Sequence, residues 1–113
     1  MIKAINTEYK GYLFRSRLEA RWAIFLDEMG IHYKYEEQGY NINGEWYLPD
    51  FWIGEWNCWL EVKPEIPTIF NTKLEPIERK EYWLCMSLAK EANKTVLLVG
   101  GDPWIDIDAG KID

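Results

Sequence analysis

The sequence of 113 residues predicts an α/β fold: a helix, a three-stranded antiparallel meander, a second helix and a final strand. Two segments repeat their apolar residues at helical spacing, and the stretch between them is rich in residues that favour strands. A helix that crosses between the last two strands favours parallel pairing there. The four-stranded sheet is therefore predicted to be mixed, in one domain covering residues 1–113 with its core at about 12–100.

The first helix is predicted at residues 16–29. Its apolar residues recur every three or four positions and form one stripe: Leu18, Trp22, Phe25, Leu26 and Met29. Gly30 follows as a stop, because glycine readily adopts the left-handed conformation that ends many helices.

The first two strands of the meander are predicted at residues 32–42 and 45–52. Tyr33, Tyr35 and Tyr40 favour extended backbone in the first of them. Asn43-Gly44 between the two strands is a strong signal for a two-residue hairpin turn. The pair is therefore predicted to be antiparallel.

A turn around Gly54 leads to the third strand, predicted at residues 56–63. Pro64 ends that strand because proline has no backbone N–H to donate to the ladder. A loop is predicted at residues 64–75.

The second helix is predicted from Pro76, which suits a first turn, to about Ala92. One face of it carries the apolar residues Ile77, Leu84, Cys85, Leu88 and Ala92. Residues 95–99 predict a short buried strand, and a turn-rich, acidic tail follows Gly100.

Composition excludes several classes of protein. Apolar residues make up 48% of the chain and aromatic residues 16%, which suffices for a core and is unlike a disordered chain. No apolar run approaches the roughly 20 residues of a membrane span, and the N-terminus lacks the apolar core of a signal peptide. We therefore expect a cytoplasmic protein, with Cys58 and Cys85 as free buried thiols.

Three polar side chains are predicted to meet at one edge of the sheet. Glu61 and Lys63 are two apart on a strand and so share a face, while Val62 points into the opposite layer. Asp50 follows Pro49 in strand-like sequence, where aspartate is disfavoured. Carboxylate oxygens suit a hard divalent cation such as Mg²⁺, and a lysine beside it can orient a water or stabilise charge on a phosphate.

These motifs, in this order, resemble the PD-(D/E)XK nuclease superfamily, and within it small nucleases encoded by bacteriophages and prophages. The resemblance lies in residues 14–23, 47–52 and 60–63 and spans roughly residues 12–100. It implies a restriction-endonuclease-like core and metal-dependent hydrolysis of DNA phosphodiester bonds, in the host cytoplasm if the protein is encoded by a phage. A role in phage DNA processing follows from the resemblance alone.

The resemblance also implies roles for single residues. Asp50 and Glu61 would ligate Mg²⁺ or Mn²⁺, with the Val62 carbonyl as a further ligand, and Lys63 would be catalytic. A glutamate of the first helix, Glu19, would stand beside the metal.

Glu19 also has a structural interpretation. Ser16 and Glu19 have the spacing of a capping box, in which the glutamate reaches back to the backbone of the serine at the start of the helix. One residue can serve in both ways.

The net charge of −6 argues against a simple nucleic-acid binder, which is usually basic. The charge is uneven, however, because residues 1–21 carry five basic side chains: Lys3, Lys10, Arg15, Arg17 and Arg21. We expect Arg15, Arg17 and Arg21 to hold phosphates, with Lys73, Arg79 and Lys80 as weaker candidates. Affinity for DNA should be modest and sensitive to salt.

The sequence leaves other functions open. The fold can serve as a catalytically silent binding or assembly module. Trp46, Trp52, Trp56 and Trp59 can form a stacking surface for sugars or single strands, or simply fill the core. DNA or RNA, endonuclease or exonuclease, and linear, single-stranded or branched substrate are not distinguished. Because the chain is small, we expect a homodimer or an assembly with a phage or host protein.

Overall fold

The computed structural model describes residues 5–65 and 76–103. Within these ranges the chain forms eight strands, two α-helices and a short 3₁₀-helix. In chain order they are β1 Thr7–Tyr9, β2 Tyr12–Phe14, α1 Arg17–Glu28, β3 Lys34–Tyr35, β4 Tyr40–Ile42, β5 Glu45–Tyr47, β6 Phe51–Ile53, the 3₁₀-helix Gly54–Trp56, β7 Cys58–Lys63, α2 Pro76–Ala92 and β8 Thr95–Gly100. Most of the predicted loop at 64–75 and of the acidic tail lies outside the described residues.

Four of the described strands form the central sheet, in the order β3-β6-β7-β8. The pairs β3–β6 and β6–β7 are antiparallel, and β7–β8 is parallel with α2 as the crossover. The predicted α/β class with a mixed four-stranded sheet is therefore confirmed. Two hairpins, β1–β2 and β4–β5, stand outside this sheet.

The helices cover opposite faces of the sheet. On one face α1 buries Ala20, Ala23 and Leu26 in a cluster with the even-numbered residues of β7, namely Cys58, Leu60 and Val62. On the other face α2 buries Leu84, Cys85 and Leu88 in a cluster with Trp59 of β7 and with the β4–β5 hairpin. This alternation is the predicted period of two along β7.

Both ends of α1 follow the sequence signals. Ser16 precedes the helix in extended conformation, and its Oγ accepts the backbone N–H of Glu19 at 3.1 Å. At the other end Gly30 has a φ of +72°, its N–H donates to Asp27 O, and the N–H of Ile31 donates to Leu26 O at 2.8 Å. These two bonds form a Schellman motif that closes the helix at the predicted stop.

The prediction of two long strands around the hairpin turn was wrong. The first is divided into β3 and β4, and the second into β5 and β6. The chain leaves the sheet after β3 at Glu36, whose φ of +46° is left-handed. Asn43-Gly44 does form a turn with both φ angles positive, but it joins β4 to β5 outside the central sheet. Asp50 was predicted inside a strand and instead immediately precedes β6.

Three further details differ from prediction. The strand at residues 95–99 was predicted to be buried, but β8 is the edge of the described sheet and Leu97 is 40% exposed. The strand β7 starts at Cys58, because the 3₁₀-helix and a left-handed Asn57 precede it. The hairpin β1–β2 was not predicted, and its turn is formed by Lys10 and Gly11, both with positive φ.

The cysteines and the helices were also the subject of predictions from composition. Cys58 and Cys85 are free and buried, as predicted. Across residues 5–65 and 76–103, neither helix is long and apolar enough to cross a membrane.

A pair of matched substitutions tests the position of β8. Leu60 is 3% exposed and lies opposite Leu97 of β8 in the sheet register. Leu60→Ala should lower the free energy of unfolding in urea by about 2–5 kcal/mol, whereas Leu97→Ala should cost less than half as much. Equal losses would contradict the assignment of β8 as a half-exposed edge.

Candidate active site

The candidate active site lies where β6 and β7 separate. Their pairing ends at Phe51 opposite Leu60. In the next position along the two strands stand Asp50 and Glu61. Asp50 Oδ2 accepts the backbone N–H of Val62 at 2.8 Å, and the backbone N–H of Asp50 donates to Glu61 Oε1 at 3.3 Å. These bonds fix the two predicted carboxylates side by side.

Glu61 is held from the α2 face of the sheet. The hydroxyl of Tyr47 on β5 donates to Glu61 Oε1 at 2.9 Å and lies 3.0 Å from Cys85 Sγ of α2. Burial raises the pKa of Cys85 to about 12, so the thiol stays protonated. Because the Tyr47 hydroxyl donates its hydrogen bond to Glu61, the Cys85 thiol donates to the Tyr47 oxygen. These two hydrogen bonds orient the Glu61 carboxylate.

Lys63 shares a face with Glu61, as predicted. Its Nζ lies 3.4 Å from Glu61 Oε2 and 2.5 Å from Glu81 Oε1 on α2. Burial alone would lower the pKa of Lys63, but the bond to Glu81 and the charge of Glu61 outweigh it and raise that pKa. Lys63 is therefore a fixed cation at neutral pH, suited to hold an anion or a water and not to accept a proton.

Glu19 reaches the site from the first turn of α1. Its Oε1 accepts the hydroxyl of Tyr35 at 2.5 Å, and its Oε2 accepts the Ser16 hydroxyl at 3.2 Å. The backbone N–H of Glu19 donates to Ser16 Oγ, so the cap exists, with the glutamate bonded to the serine side chain. The capping and site interpretations of Glu19 are thus compatible.

Glu36 is a site residue that the sequence did not indicate. Carboxylate oxygens of Glu19, Glu36 and Asp50 all lie within 4.8 Å of one another. The backbone N–H of Glu36 donates to Asp50 O at 2.8 Å, and Arg15 Nε lies 2.6 Å from Glu36 Oε2. In the sequence Glu36 stands in a pair of glutamates that looks like a solvated turn, so no local signal separates it from its neighbour.

The pKa values of the two central carboxyl groups, Asp50 and Glu61, are both raised. Burial raises the pKa of Asp50 well above its ordinary value, and the charges of Glu61 and Glu19 raise it further. Burial also raises the pKa of Glu61, against the opposing effect of Lys63. The main cost of charging either carboxyl group is thus its burial, and for Asp50 the neighbouring carboxylates add to that cost.

A divalent cation fits this set of donors. Carboxylate oxygens are the ligands that Mg²⁺ and Mn²⁺ prefer, and three of them lie within reach of one ion. The predicted ligands were Asp50, Glu61 and the Val62 carbonyl. The structure gathers the carboxylates of Glu19 and Glu36 around that of Asp50, and Glu61 accepts the Asp50 backbone N–H.

The site opens into a cleft of about 390 Å³. Every predicted catalytic or metal-binding residue lines it: Glu19, Asp50, Glu61, Val62 and Lys63. The β4–β5 hairpin and the first turns of α2 form the other walls. The carboxylates therefore lie in a cleft that is open to solvent.

The basic residues predicted to hold phosphates do not all lie at the cleft. Arg15 and Lys80 line the cleft, while Arg17 is exposed on α1 away from the described lining. Arg21 pairs with Asp102 at 2.5 Å. Arg79 is exposed on α2, and Lys73 lies outside the described residues.

The four tryptophans do not form one stacking surface. Trp59 is buried and Trp52 half-buried, with their ring centroids 5.1 Å apart. Trp46 and Trp56 are 68% and 47% exposed. The core-filling interpretation therefore holds for two of them, and Trp46 alone among the four lines the cleft in the part of the chain that the structure describes.

Comparisons with known proteins give one finding. No protein-family model and no curated protein matches the chain. Among solved structures, the catalytic domain of the homing endonuclease I-Bth0305I is similar, with 23% identity and a TM-score of 0.48 over 83% of this chain and 85% of that domain. A likeness at this level says nothing about the chemistry of this chain, and membership of the PD-(D/E)XK superfamily stays a prediction.

The fit of the carboxylates to a cation predicts a change in thermal stability. Mg²⁺ or Mn²⁺ at about one hundred times its Kd should stabilise the folded protein by about 2.7 kcal/mol, which raises the Tm by several degrees. Asp50→Asn should abolish this shift. Because asparagine keeps an acceptor for the Val62 N–H and removes a charge, this variant in EDTA should be at least as stable as the wild type.

Glu28→Gln is the matched control, since Glu28 is exposed on α1. It should show the full metal-dependent shift in a thermal melt. A wild-type Tm that does not respond to either metal, or an equal response in Asp50→Asn, would contradict a cation site at Asp50.

Proposed function

We propose that this protein is a metal-dependent nuclease that hydrolyses phosphodiester bonds in DNA. One observation supports this most. The buried carboxylates of Asp50 and Glu61 and the cation Lys63 line the same open cleft. Carboxylates for a metal and a lysine for a phosphate are the parts that phosphodiester hydrolysis requires.

Four carboxylates are available to hold the metal. Asp50, Glu19 and Glu36 lie within mutual reach, and Glu61 stands beside Asp50, with the Val62 carbonyl as a further proposed ligand. When bound, Mg²⁺ or Mn²⁺ would polarise the scissile phosphate and lower the pKa of the attacking water.

Lys63 supplies positive charge at a fixed point. The ion pairs with Glu61 and Glu81 hold its Nζ in place and keep it protonated. It can therefore orient a water by donating to it, or donate to a phosphate oxygen as charge builds there. A general-base role does not fit, because its pKa is raised.

The substrate strand would be held by cations on the cleft wall. Arg15 and Lys80 both line the cleft, and each is paired there with a glutamate, Glu36 and Glu45 respectively. Phosphate contacts from such residues position the strand without reading its sequence. Contacts from Arg17 and Arg21 stay predictions, and Arg21 would first have to leave Asp102.

The alternative of a catalytically silent nuclease-fold module is less consistent with the site. A decayed site usually lacks one of the required groups, whereas Asp50, Glu61 and Lys63 all line one cleft. A role in phage DNA processing has its support only in the sequence resemblance.

Substitution of the lysine tests the proposed chemistry. Lys63→Met should leave circular dichroism unchanged and lower cleavage of a DNA panel in Mg²⁺ or Mn²⁺ by about 10²–10³-fold. The panel would include supercoiled plasmid, linear duplex, single strand and a four-way junction, each with an EDTA blank. Lys94→Met is the matched control, because Lys94 is exposed after α2.

Two results would overturn the proposed function. One is the absence of metal-dependent cleavage by the wild type on every substrate. The other is full cleavage by Lys63→Met, which would show that the activity comes from another site or another protein.

A homodimer, or an assembly with a phage or host protein, belongs to the same proposal. Two copies of so small a domain would supply two cleavage sites for the two strands of a duplex. Light scattering at high protein concentration should then give twice the mass of the chain, and a sharp monomer mass would refute the dimer.

A further inference from the structure

We infer that Trp46 stacks on an unpaired nucleobase, so that the preferred substrate is single-stranded or locally unpaired. This inference rests on the proposed nuclease function and names its substrate class. Trp46 lies on the wall of the catalytic cleft and is 68% exposed. Exposed Ile77 lines the same cleft, and apolar side chains grouped at a cleft mark a binding surface more than a single exposed one does.

The position of Trp46 is fixed relative to the carboxylates. It is the neighbour of Tyr47 on β5, and Tyr47 donates to Glu61 at 2.9 Å. Its strand partner across the hairpin is Asn41, which accepts the N–H of Gly44 in the turn. The indole is thus carried on a short, closed hairpin that also orients a catalytic side chain.

The indole ring of Trp46 packs against the backbone at Gly39. A Cβ added at Gly39 would collide with ring atoms Cζ2, Cε2 and Cη2 of Trp46, so the ring lies directly against the glycine. Only glycine leaves this space. One side of the ring is therefore supported by protein while most of its surface faces solvent, and a ring held in place loses little freedom when a ligand stacks on it.

The surroundings of Trp46 suit a nucleotide. Ile77, which is 66% exposed, and the cation Lys80 line the same cleft. The rings and methyl groups of Trp46 and Ile77 suit contact with the flat face of a base. The charge of Lys80 and the candidate metal site suit the phosphates on either side of that base.

A base in the interior of a duplex cannot occupy this place. In a duplex each base is stacked between its neighbours, so its face is not open to an indole. A sugar without phosphates would use neither the positive charge of Lys80 nor the candidate metal site. The occupant that uses ring, cation and carboxylates together is an unpaired stretch of nucleic acid.

Binding can be measured apart from cleavage in an Asp50→Asn background. Fluorescence anisotropy would follow a labelled oligodeoxythymidine, an abasic strand of the same length and a duplex, each in EDTA because this variant is expected to bind no metal. Adding Trp46→Ala should weaken binding of oligodeoxythymidine about tenfold. The abasic strand and the duplex should bind as before, because they offer no free base.

Three variants serve as controls. Trp46→Phe keeps an aromatic face and should retain most of the affinity. Trp56→Ala removes another exposed tryptophan, on the 3₁₀-helix, and should have no effect. Gly39→Ala keeps the indole, but the added methyl group displaces the ring from its place against residue 39. This variant should also weaken binding of oligodeoxythymidine. Circular dichroism establishes that each variant is folded.

The outcomes separate the two proposals. An equal loss on the abasic strand, or no loss beyond that of Trp56→Ala, would overturn stacking at Trp46 whether or not the wild type cuts DNA. A wild type that cuts with metal, with the same ratio of single-strand to duplex cleavage in Trp46→Ala, would overturn the substrate class alone. Binding that depends on Trp46 and on the base without any cleavage would support stacking and overturn the nuclease.

Discussion

The bond from the Val62 N–H to the Asp50 carboxylate holds together the two parts of the structure on which the site depends. It ties the residue before β6 to the C-terminal end of β7, and it fixes a buried aspartate beside Glu61. Burial of carboxylates next to one another disfavours folding, and apolar residues of similar size are often more stable in such places. The chain nevertheless orients two of these carboxylates with neutral donors, Tyr47 for Glu61 and Tyr35 for Glu19. The proposed cation, bound among these carboxylates, would offset this cost.

The irregular parts of the sheet create the site. A regular meander would have continued β6 and β7 as partners and closed the space between them. Instead Glu36 turns the chain out of the sheet in a left-handed conformation, and its backbone N–H bonds to Asp50 O. The displaced β4–β5 hairpin then supplies Tyr47 behind the carboxylates and Trp46 at the entrance. Departures from regular structure of this kind are typical of functional sites.

The sequence predicted the parts of the fold that local signals specify. Ser16 and Gly30 mark the ends of α1, and the spacing of Glu61 and Lys63 placed both on one face of β7. The breaks in the meander escaped prediction, because strand-forming tyrosines do not reveal a left-handed Glu36 between them. Glu36 itself was missed for the same reason. Its approach to Asp50 depends on contacts between distant segments, which no window of sequence contains.

The most direct test of the central claim is to locate the metal. A crystal of the protein soaked in Mn²⁺ gives an anomalous signal at the position of the ion. We expect one strong peak at the Asp50 carboxylate, within the cluster formed with Glu19, Glu36 and Glu61, and none in crystals of Asp50→Asn. A peak elsewhere on the protein, or no peak at this cluster in the wild type, would contradict it.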